Sequence, residues 1–142
     1  RGVEIGGSII PTLIDELPII AVAAAYARGT TLVKDAGELR VKECDRITAM
    51  ARELTKFGVD IKERPDGWVI EGSGGRGIKG GVGHGYGDHR VVMALAVMGL
   101  GAKEPIIIPG AQSIEISFPG FNKAFQKLGA QMGLLKDSLQ IS

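Results

Sequence analysis

The nine-residue segment 39–47 (LRVKECDRI) carries six ionisable side chains, counting one thiol. Lys42 and Arg46 are four residues apart and Glu43 and Arg46 three, so within a helical turn they share one edge. A second charged group, 88–90 (DHR), occurs later in the chain. Lysine and arginine bind phosphates and carboxylates, and a carboxylate among such cations can transfer protons. The two segments therefore predict an anion-binding site that is suited to acid–base chemistry.

The same residues also fit a purely structural interpretation. An aspartate at a helix N-terminus, such as Asp15 or Asp88, stabilises the helix by about 1 kcal/mol as its N-cap. Glu43 can serve as the ion-pair partner of Arg46 on a solvated helix edge. Which interpretation holds depends on the elements that carry these residues.

The composition is that of a globular protein. The chain has 142 residues, of which 44% are hydrophobic and 23% charged, and a net charge of +1. A chain of this length can bury one sizeable core. The balanced charge argues against a nucleic-acid or membrane surface, and no apolar run approaches a membrane-spanning length. The single cysteine excludes an internal disulfide and fits a reducing compartment, so we expect a cytoplasmic protein.

No motif for a metal or a nucleotide phosphate occurs in the sequence. It contains neither CxxC nor HExxH, and the glycine-rich stretch 72–87 lacks a phosphate-loop spacing. We predict a flexible connection there, with a short strand near 77–80 and an exposed His84. Cationic neighbours can lower the pKa of the Cys44 thiol, but no histidine close in sequence would activate it. We therefore expect no metal, no cofactor and no nucleophilic cysteine.

Two predicted helices, 18–28 and 91–100, are apolar on nearly every side and must be enclosed by protein. Asp15 and Asp88 are their candidate N-caps, and Gly29 and Gly101 follow their ends. Amphipathic helices are predicted over 45–57 and after Pro119. The predicted strands are 9–14, 30–34, 59–62, 68–71, 105–108 and 131–135.

The second half of the chain repeats the first. Asp15 and Asp88 are 73 residues apart, and Lys56 and Lys127 are 71 apart, so the period is nearly constant. Each half reads strand, buried helix, strand, amphipathic helix, strand, and the first half adds a hairpin strand. This order predicts an α/β fold with repeat units at about 9–72 and 77–136.

About three such units are commonly needed to close a core. The chain also begins at Arg1 within a strand-like segment. We therefore expect a piece of a longer protein, which by itself is poorly stable or self-associates through its bare edge.

The N-termini of parallel buried helices would lie on one face of such repeats. Helix N-termini carry partial positive charge and unpaired N–H groups, which favour anions. Asp15 and Asp88 would both lie on this face, with Arg90 in the first helical turn and segment 42–46 nearby. The repeat thus places both charged segments at one site.

Four motifs resemble the 5-enolpyruvylshikimate-3-phosphate (EPSP) synthase family. Segment 40–46 (RVKECDR) resembles its R-V-K-E-[ST]-D-R signature, and 88–94 (DHRVVMA) its D-H-R-[IM]-A-M segment. Segment 14–19 (IDELPI) resembles the I-D-E-x-P-I of glyphosate-tolerant bacterial members, and 117–119 (SFP) the late S/T-F-P. The resemblance implies two globules of three βαβαββ units each, with helices packed inside sheets. This chain would supply about two units at the C-terminal end, and the N-terminal part would be missing.

The resemblance also implies a function. Family members transfer the enolpyruvyl group of phosphoenolpyruvate to the 5-hydroxyl of shikimate 3-phosphate without metal or cofactor, in aromatic amino acid biosynthesis, and are the target of glyphosate. Asp15 would contact the shikimate hydroxyls and act as the acid–base residue at the 5-hydroxyl. Lys42 would hold shikimate 3-phosphate, and Glu43 would handle the proton at the phosphoenolpyruvate methylene. Arg46 and Arg90 would bind the phosphate and carboxylate of phosphoenolpyruvate. A bacterial enzyme is implied, and this part alone would be inactive.

Two positions depart from the family pattern. Cys44 stands where serine or threonine is usual, and Ile116 stands where many members have a lysine that binds phosphoenolpyruvate. Two other functions stay open. A related enolpyruvyl transferase acting on a UDP-sugar is one, although the R-V-K-E and D-H-R motifs fit it poorly. A non-catalytic anion-binding module of the same fold is the other.

Overall fold

A computed structural model describes residues 1–135 and 138–142. The first half forms β1 (Glu4–Ile5), a 3₁₀ turn (Gly7–Ile9), α1 (Ile10–Leu13), α2 (Leu17–Tyr26), β2 (Arg28–Val33), a 3₁₀ turn (Gly37–Val41), α3 (Arg46–Lys56), β3 (Asp60–Arg64) and β4 (Gly67–Ser73). The second half forms β5 (Gly81–Val82), α4 (His89–Gly99), β6 (Ile106–Pro109), a 3₁₀ turn (Ala111–Ser113), α5 (Ile114–Ser117), α6 (Phe121–Lys127), β7 (Met132–Leu135) and β8 (Ser138–Ile141).

The two four-stranded sheets have the same strand order, β1-β2-β4-β3 and β5-β6-β8-β7. In each sheet the first two strands are parallel, and the other neighbours are antiparallel. Parallel neighbours need a crossover connection, which α2 supplies in the first sheet and α4 in the second. With the short helices set aside, both halves read βαβαββ. The predicted α/β fold of repeated units is confirmed.

The two crossover helices pack against each other between the sheets. Buried alanines and valines, such as Ala21 and Val22 of α2 and Val92 of α4, dominate these helices. Their lack of a polar face follows from this position, because a helix enclosed on all sides has no surface for water to contact. Tyr26 at the end of α2 donates a hydrogen bond of 2.6 Å to the carbonyl oxygen of Met98 in α4. The core therefore spans both units.

Several predicted boundaries at the start of the chain are wrong. Residues 9–14, predicted as a strand, are helical, and β1 at Glu4–Ile5 opens the sheet instead. Pro11 explains the difference, because it cannot donate to a strand ladder but is tolerated in the first turn of a helix. Asp15 is not the N-cap of α2, since that position belongs to Glu16. Gly29 lies within β2 with φ 87° rather than closing the helix.

The remaining corrections concern short elements. Residues 39–41, whose sequence is typical of a strand, form part of a 3₁₀ turn, and the short strand predicted near 77–80 lies instead at Gly81–Val82. Strand β8 was missed; it pairs with both β6 and β7 and gives the second half the same final hairpin as the first. The repeat boundaries 9–72 and 77–136 stay a prediction.

One bent helix pair bears on membrane insertion. In residues 1–135 and 138–142 no single helix is both long and apolar enough to cross a membrane. The helical segments Gly7–Leu13 and Leu17–Tyr26 meet at an angle of 108°. Taken together they are long and apolar enough to cross a membrane, by length and composition only.

Candidate active site

The N-terminus of α3 is fixed by Asp45. Its Oδ1 accepts the backbone N–H of Thr48 at 3.0 Å, which is an N-cap bond, and its Oδ2 accepts from Arg40 Nη1 at 2.7 Å. Arg40 Nε also donates to the carbonyl of Pro65 at 2.8 Å, which ties the β3–β4 turn to the same point. Because the cap starts the helix at Arg46, Lys42 and Glu43 precede the helix instead of lying on its first turn.

Arg46 lies at the centre of a cluster with three carboxylates, those of Asp15, Glu43 and Asp88. Its side chain is only 1% exposed. It donates from Nε to Asp88 Oδ2 at 2.8 Å, from Nη1 to Asp15 Oδ1 at 2.9 Å, and from Nη2 to Glu43 Oε2 at 2.7 Å. A buried guanidinium is tolerated only when it is paired and hydrogen-bonded. Three carboxylates meet that requirement, so the predicted anion-binding arginine already holds anionic side chains of its own protein.

The three carboxylates differ in exposure. Asp88 is 0% exposed, whereas the side chains of Asp15 and Glu43 are 49% and 47% exposed. Asp88 therefore acts as a fixed counter-charge, and the other two lie where an incoming anion could replace them on Arg46. The candidate acid–base residues and the candidate anion-binding residue are in direct contact.

Asp88 joins the two repeat units. Its Oδ1 caps α4 by accepting the N–H groups of Arg90 and Val91, as predicted, while its Oδ2 accepts from Arg46 of the first unit. The sequence predicts Asp88 as a cap on the anion-binding face but does not predict its bond to Arg46. The available signal was the predicted shared face, which already places segment 88–90 and segment 42–46 at one site.

Cys44 has a raised pKa. Desolvation is the largest cause, followed by the negative charge and hydrogen bond of Asp88, and together they raise the thiol pKa to about 12. The thiol donates to Asp88 Oδ2 across 3.7 Å. The possibility that cationic neighbours lower this pKa is thus wrong, because desolvation and the buried carboxylate together outweigh Arg46. The thiol supports the cluster as a hydrogen-bond donor.

Arg90 and Lys42 lie at the edge of the cluster. Arg90 Nη1 donates to Glu16 Oε1 at 2.9 Å, and its Nη2 lies 3.9 Å from Asp15 Oδ2. Lys42 donates to Glu38 at 2.6 Å. The pKa of Asp15 is lowered, first by its hydrogen bond to Arg46 and also by the charges of Arg90, Arg46 and Lys42, against desolvation. Asp15 is therefore ionised at neutral pH and can accept a proton.

A cleft of about 200 Å³ opens beside these residues. Asp15, Glu16 and Arg90 line its charged side, and apolar side chains including Met93 and Phe118 line the other. Phe118 belongs to the S-F-P motif, so the structure brings this motif to the same cleft. Ile116, one of the two departures, is 80% exposed on α5. Within the described ranges, no group of three or more potential metal ligands is placed to hold an ion.

Duplicated βαβαββ units, with an arginine–carboxylate cluster where the buried helices begin, define an α/β protein with the enolpyruvyl transferase fold. Two solved structures of EPSP synthase from Acinetobacter baumannii are similar to the chain. Their TM-scores are 0.85 and 0.82, at 36% and 33% identity, over 89% of this chain and 30% and 29% of theirs. The family model of EPSP synthase (3-phosphoshikimate 1-carboxyvinyltransferase) matches residues 2–125, and the chain belongs to this family.

Relatives of known name agree with this assignment. The 3-phosphoshikimate 1-carboxyvinyltransferases of Desulforamulus reducens and Pelotomaculum thermopropionicum are 52% and 53% identical to the chain over 128 and 127 residues. These matches cover 90% and 89% of this chain but only 29% of each relative. The chain therefore spans less than a third of the length of the relatives it matches. The resemblance noted from the four motifs is confirmed.

Proposed function

We propose that this chain forms part of the active site of a 3-phosphoshikimate 1-carboxyvinyltransferase of the shikimate pathway. The observation that carries the proposal is the contact of Arg46 with both candidate acid–base residues, Asp15 and Glu43, next to Arg90. The reaction joins phosphoenolpyruvate and shikimate 3-phosphate, both anionic, and needs cations and proton-transferring carboxylates in one place. We propose that the N-terminal part of the same protein supplies the rest of the cleft.

The proposed chemistry has two steps. In the first, Asp15 takes the proton of the shikimate 5-hydroxyl as that oxygen bonds to the enol carbon, while Glu43 delivers a proton to the methylene carbon. In the second, Glu43 removes a proton from the resulting methyl group as the carbon–oxygen bond to phosphate breaks, which restores the enolpyruvyl double bond, and the proton held by Asp15 leaves with the phosphate. The ionised state of Asp15 supports its part as the base.

The cations hold the substrates in this proposal. Arg46 and Arg90 bind the phosphate and carboxylate of phosphoenolpyruvate, and Lys42 binds shikimate 3-phosphate. Arg46 would exchange Asp15 and Glu43 for the phosphate or carboxylate of the substrate and would keep its bond to Asp88. Their release would raise the basicity of Asp15, because its hydrogen bond to Arg46 is the main cause of its lowered pKa. Binding of the substrate to Arg46 would thus make Asp15 a stronger base.

A chimera tests the activity directly. Residues 2–125 of this chain would replace the matching segment of the A. baumannii EPSP synthase, and phosphate release would be measured with shikimate 3-phosphate or a UDP-sugar as acceptor. We expect turnover with shikimate 3-phosphate only, and its loss in the Arg46→Ala and Arg90→Ala chimeras. A folded chimera that prefers the UDP-sugar would identify the related transferase. Full activity in both arginine variants would instead favour a non-catalytic module.

We further propose a bacterial cytoplasmic protein and a target of glyphosate. The single cysteine, which fits a reducing compartment, supports the cytoplasmic location. Inhibition of the chimera by increasing glyphosate tests whether the protein is a target. The Ile116→Lys variant, which restores the lysine usual in the family, is measured beside it. Unchanged turnover at saturating glyphosate in both forms would refute it.

A further inference from the structure

Glu53 is a buried carboxylate that lies outside the Arg46 cluster. It belongs to α3, seven residues after Arg46, so the two side chains lie on the same side of the helix about 10 Å apart along its axis. Its side chain is 0% exposed. A buried carboxylate is unfavourable unless hydrogen bonds and an opposite charge compensate it. The partners of Glu53 meet this requirement.

Two of these partners belong to the glycine-rich segment that leads into α4. The backbone N–H of His84 donates to Glu53 Oε2 at 3.0 Å, and the Tyr86 hydroxyl donates to Oε1 at 2.7 Å. Lys56 supplies the opposite charge, with its Nζ 2.6 Å from Oε1 and 3.2 Å from His84 Nδ1. Desolvation, and then the bond to Glu53, raise the pKa of Tyr86, which keeps its phenol protonated as the donor.

Segment 83–87 depends on hydrogen bonds to side chains outside it, such as Glu53, to hold its conformation. Three of its five residues are glycines, which lose much conformational entropy when they are ordered. It lies close against α4, since a Cβ on Gly85 would lie 2.1 Å from Val92 Cγ2. Tyr86 adopts a left-handed backbone with φ 54°, and Asp88 N donates to the carbonyl of Gly85 at 2.9 Å. The position of Asp88 therefore depends on the conformation of this turn.

Helix α3 thus holds the segment at two points. Arg46 binds Asp88, which directly follows segment 83–87, and Glu53 binds His84 and Tyr86 within it. We propose that Glu53 is a positioning residue that sets Asp88 against Arg46, and Arg90 beside Asp15, by anchoring segment 84–86. It contacts no substrate in the proposed function and acts through the turn it binds.

Hydrogen exchange on the full 142-residue chain tests the anchoring without reference to activity. We expect Glu53→Gln and Tyr86→Phe each to raise amide exchange of segment 84–88 by about fivefold, the effect of losing one hydrogen bond. Tyr86→Phe removes a single partly exposed hydroxyl, so it keeps the test valid if the buried substitution unfolds the chain. Tyr26→Phe is the matched control, because it removes one tyrosine hydrogen bond, to Met98, away from the segment. Unchanged exchange in Tyr86→Phe, or an equal rise in Tyr26→Phe, would overturn the proposal.

The chimera supplies the second readout, which rests on the proposed function. Displaced arginines should raise the KM for phosphoenolpyruvate about fivefold in Tyr86→Phe, with kcat nearly unchanged, and leave Tyr26→Phe at the parent value. A fall in kcat alone would contradict positioning through the binding arginines. If the parent chimera is inactive, the proposed function fails, and the exchange result still decides the role of Glu53.

Discussion

Arg46 and Asp88 are 42 residues apart in the chain, yet Nε of one and Oδ2 of the other lie 2.8 Å apart with both side chains buried. This ion pair connects the start of α3 in the first unit to the start of α4 in the second. The half-exposed Asp15 and Glu43 complete the shell around the guanidinium. Stability and ligand binding both depend on this pair.

Removing Asp88 should destabilise the chain strongly. Asp88→Ala leaves Arg46 buried without its fixed counter-charge and removes the cap of α4, so we expect a loss of about 3–5 kcal/mol in the free energy of unfolding. Urea denaturation in dilute solution measures it. Asp45→Ala removes the cap of α3, and the Asp45 side chain is more exposed than that of Asp88. We expect this variant to lose only about 1 kcal/mol in the free energy of unfolding. Equal losses in the two variants would show that the buried pair adds nothing beyond capping.

Glu43→Gln should strengthen the binding of inorganic phosphate. Glu43 competes with any anion for the Nη2 group of Arg46, so neutralising it should raise phosphate affinity about two- to fivefold, the range of a partly exposed ion pair. Calorimetric titration with phosphate measures this. Glu71→Gln is the control, because Glu71 bonds to Thr30 in the first sheet, away from the cluster. A weaker affinity in Glu43→Gln would contradict the competition.

Stability should fall at acid pH in part through Asp15. Its folded pKa is lowered below 3.8, mainly by the bond to Arg46, so its contribution is present above that pH and is lost as pH falls through the folded value. Urea midpoints measured from about pH 5 to about pH 2 follow this loss. Asp15→Asn should flatten the slope of the profile. Identical slopes for parent and variant would mean that the contact with Arg46 does not persist in solution.

Cys44 should react slowly with alkylating reagents. A thiol pKa of about 12 instead of 9.0 lowers the thiolate fraction at pH 8 by about a thousandfold. Labelling with iodoacetamide, followed by mass spectrometry, should therefore be slow in the folded chain and fast in urea. Comparable rates in the two conditions would show that the thiol is not held against Asp88.

The chain alone should self-associate. Large apolar side chains are exposed on several elements, among them Leu128 at 83% and Leu134 at 62%, and β1 and β5 are edge strands of their sheets. Contiguous apolar surface and unpaired edges favour association. Size-exclusion chromatography over a range of concentrations should show oligomers. A concentration-independent monomer that unfolds cooperatively would refute this expectation.

Sequence periodicity predicted most of the fold because the strongest signals are local. The apolar helices and the cap at Asp88 follow from residue type alone, and the motifs located Arg46 and Arg90. The prediction that Asp15 caps α2 is wrong, because its carboxylate accepts a hydrogen bond from Arg46, 31 residues away, instead of from its own helix. Glu53 was missed, because a glutamate on an amphipathic helix usually faces water, and only the arrangement of the glycine-rich turn shows its burial.

The distances along the chain between contacting residues bear on how this protein folds. Asp15 and Arg46 are 31 residues apart, Tyr26 and Met98 are 72, and Glu16 and Arg90 are 74. Contacts between distant residues require large loops to close before they form, which slows folding. The arginine cluster is therefore assembled only when both units have docked. A ribosome that has released only the first unit presents Arg46 without Asp88, so the cluster is completed only after the second unit has emerged.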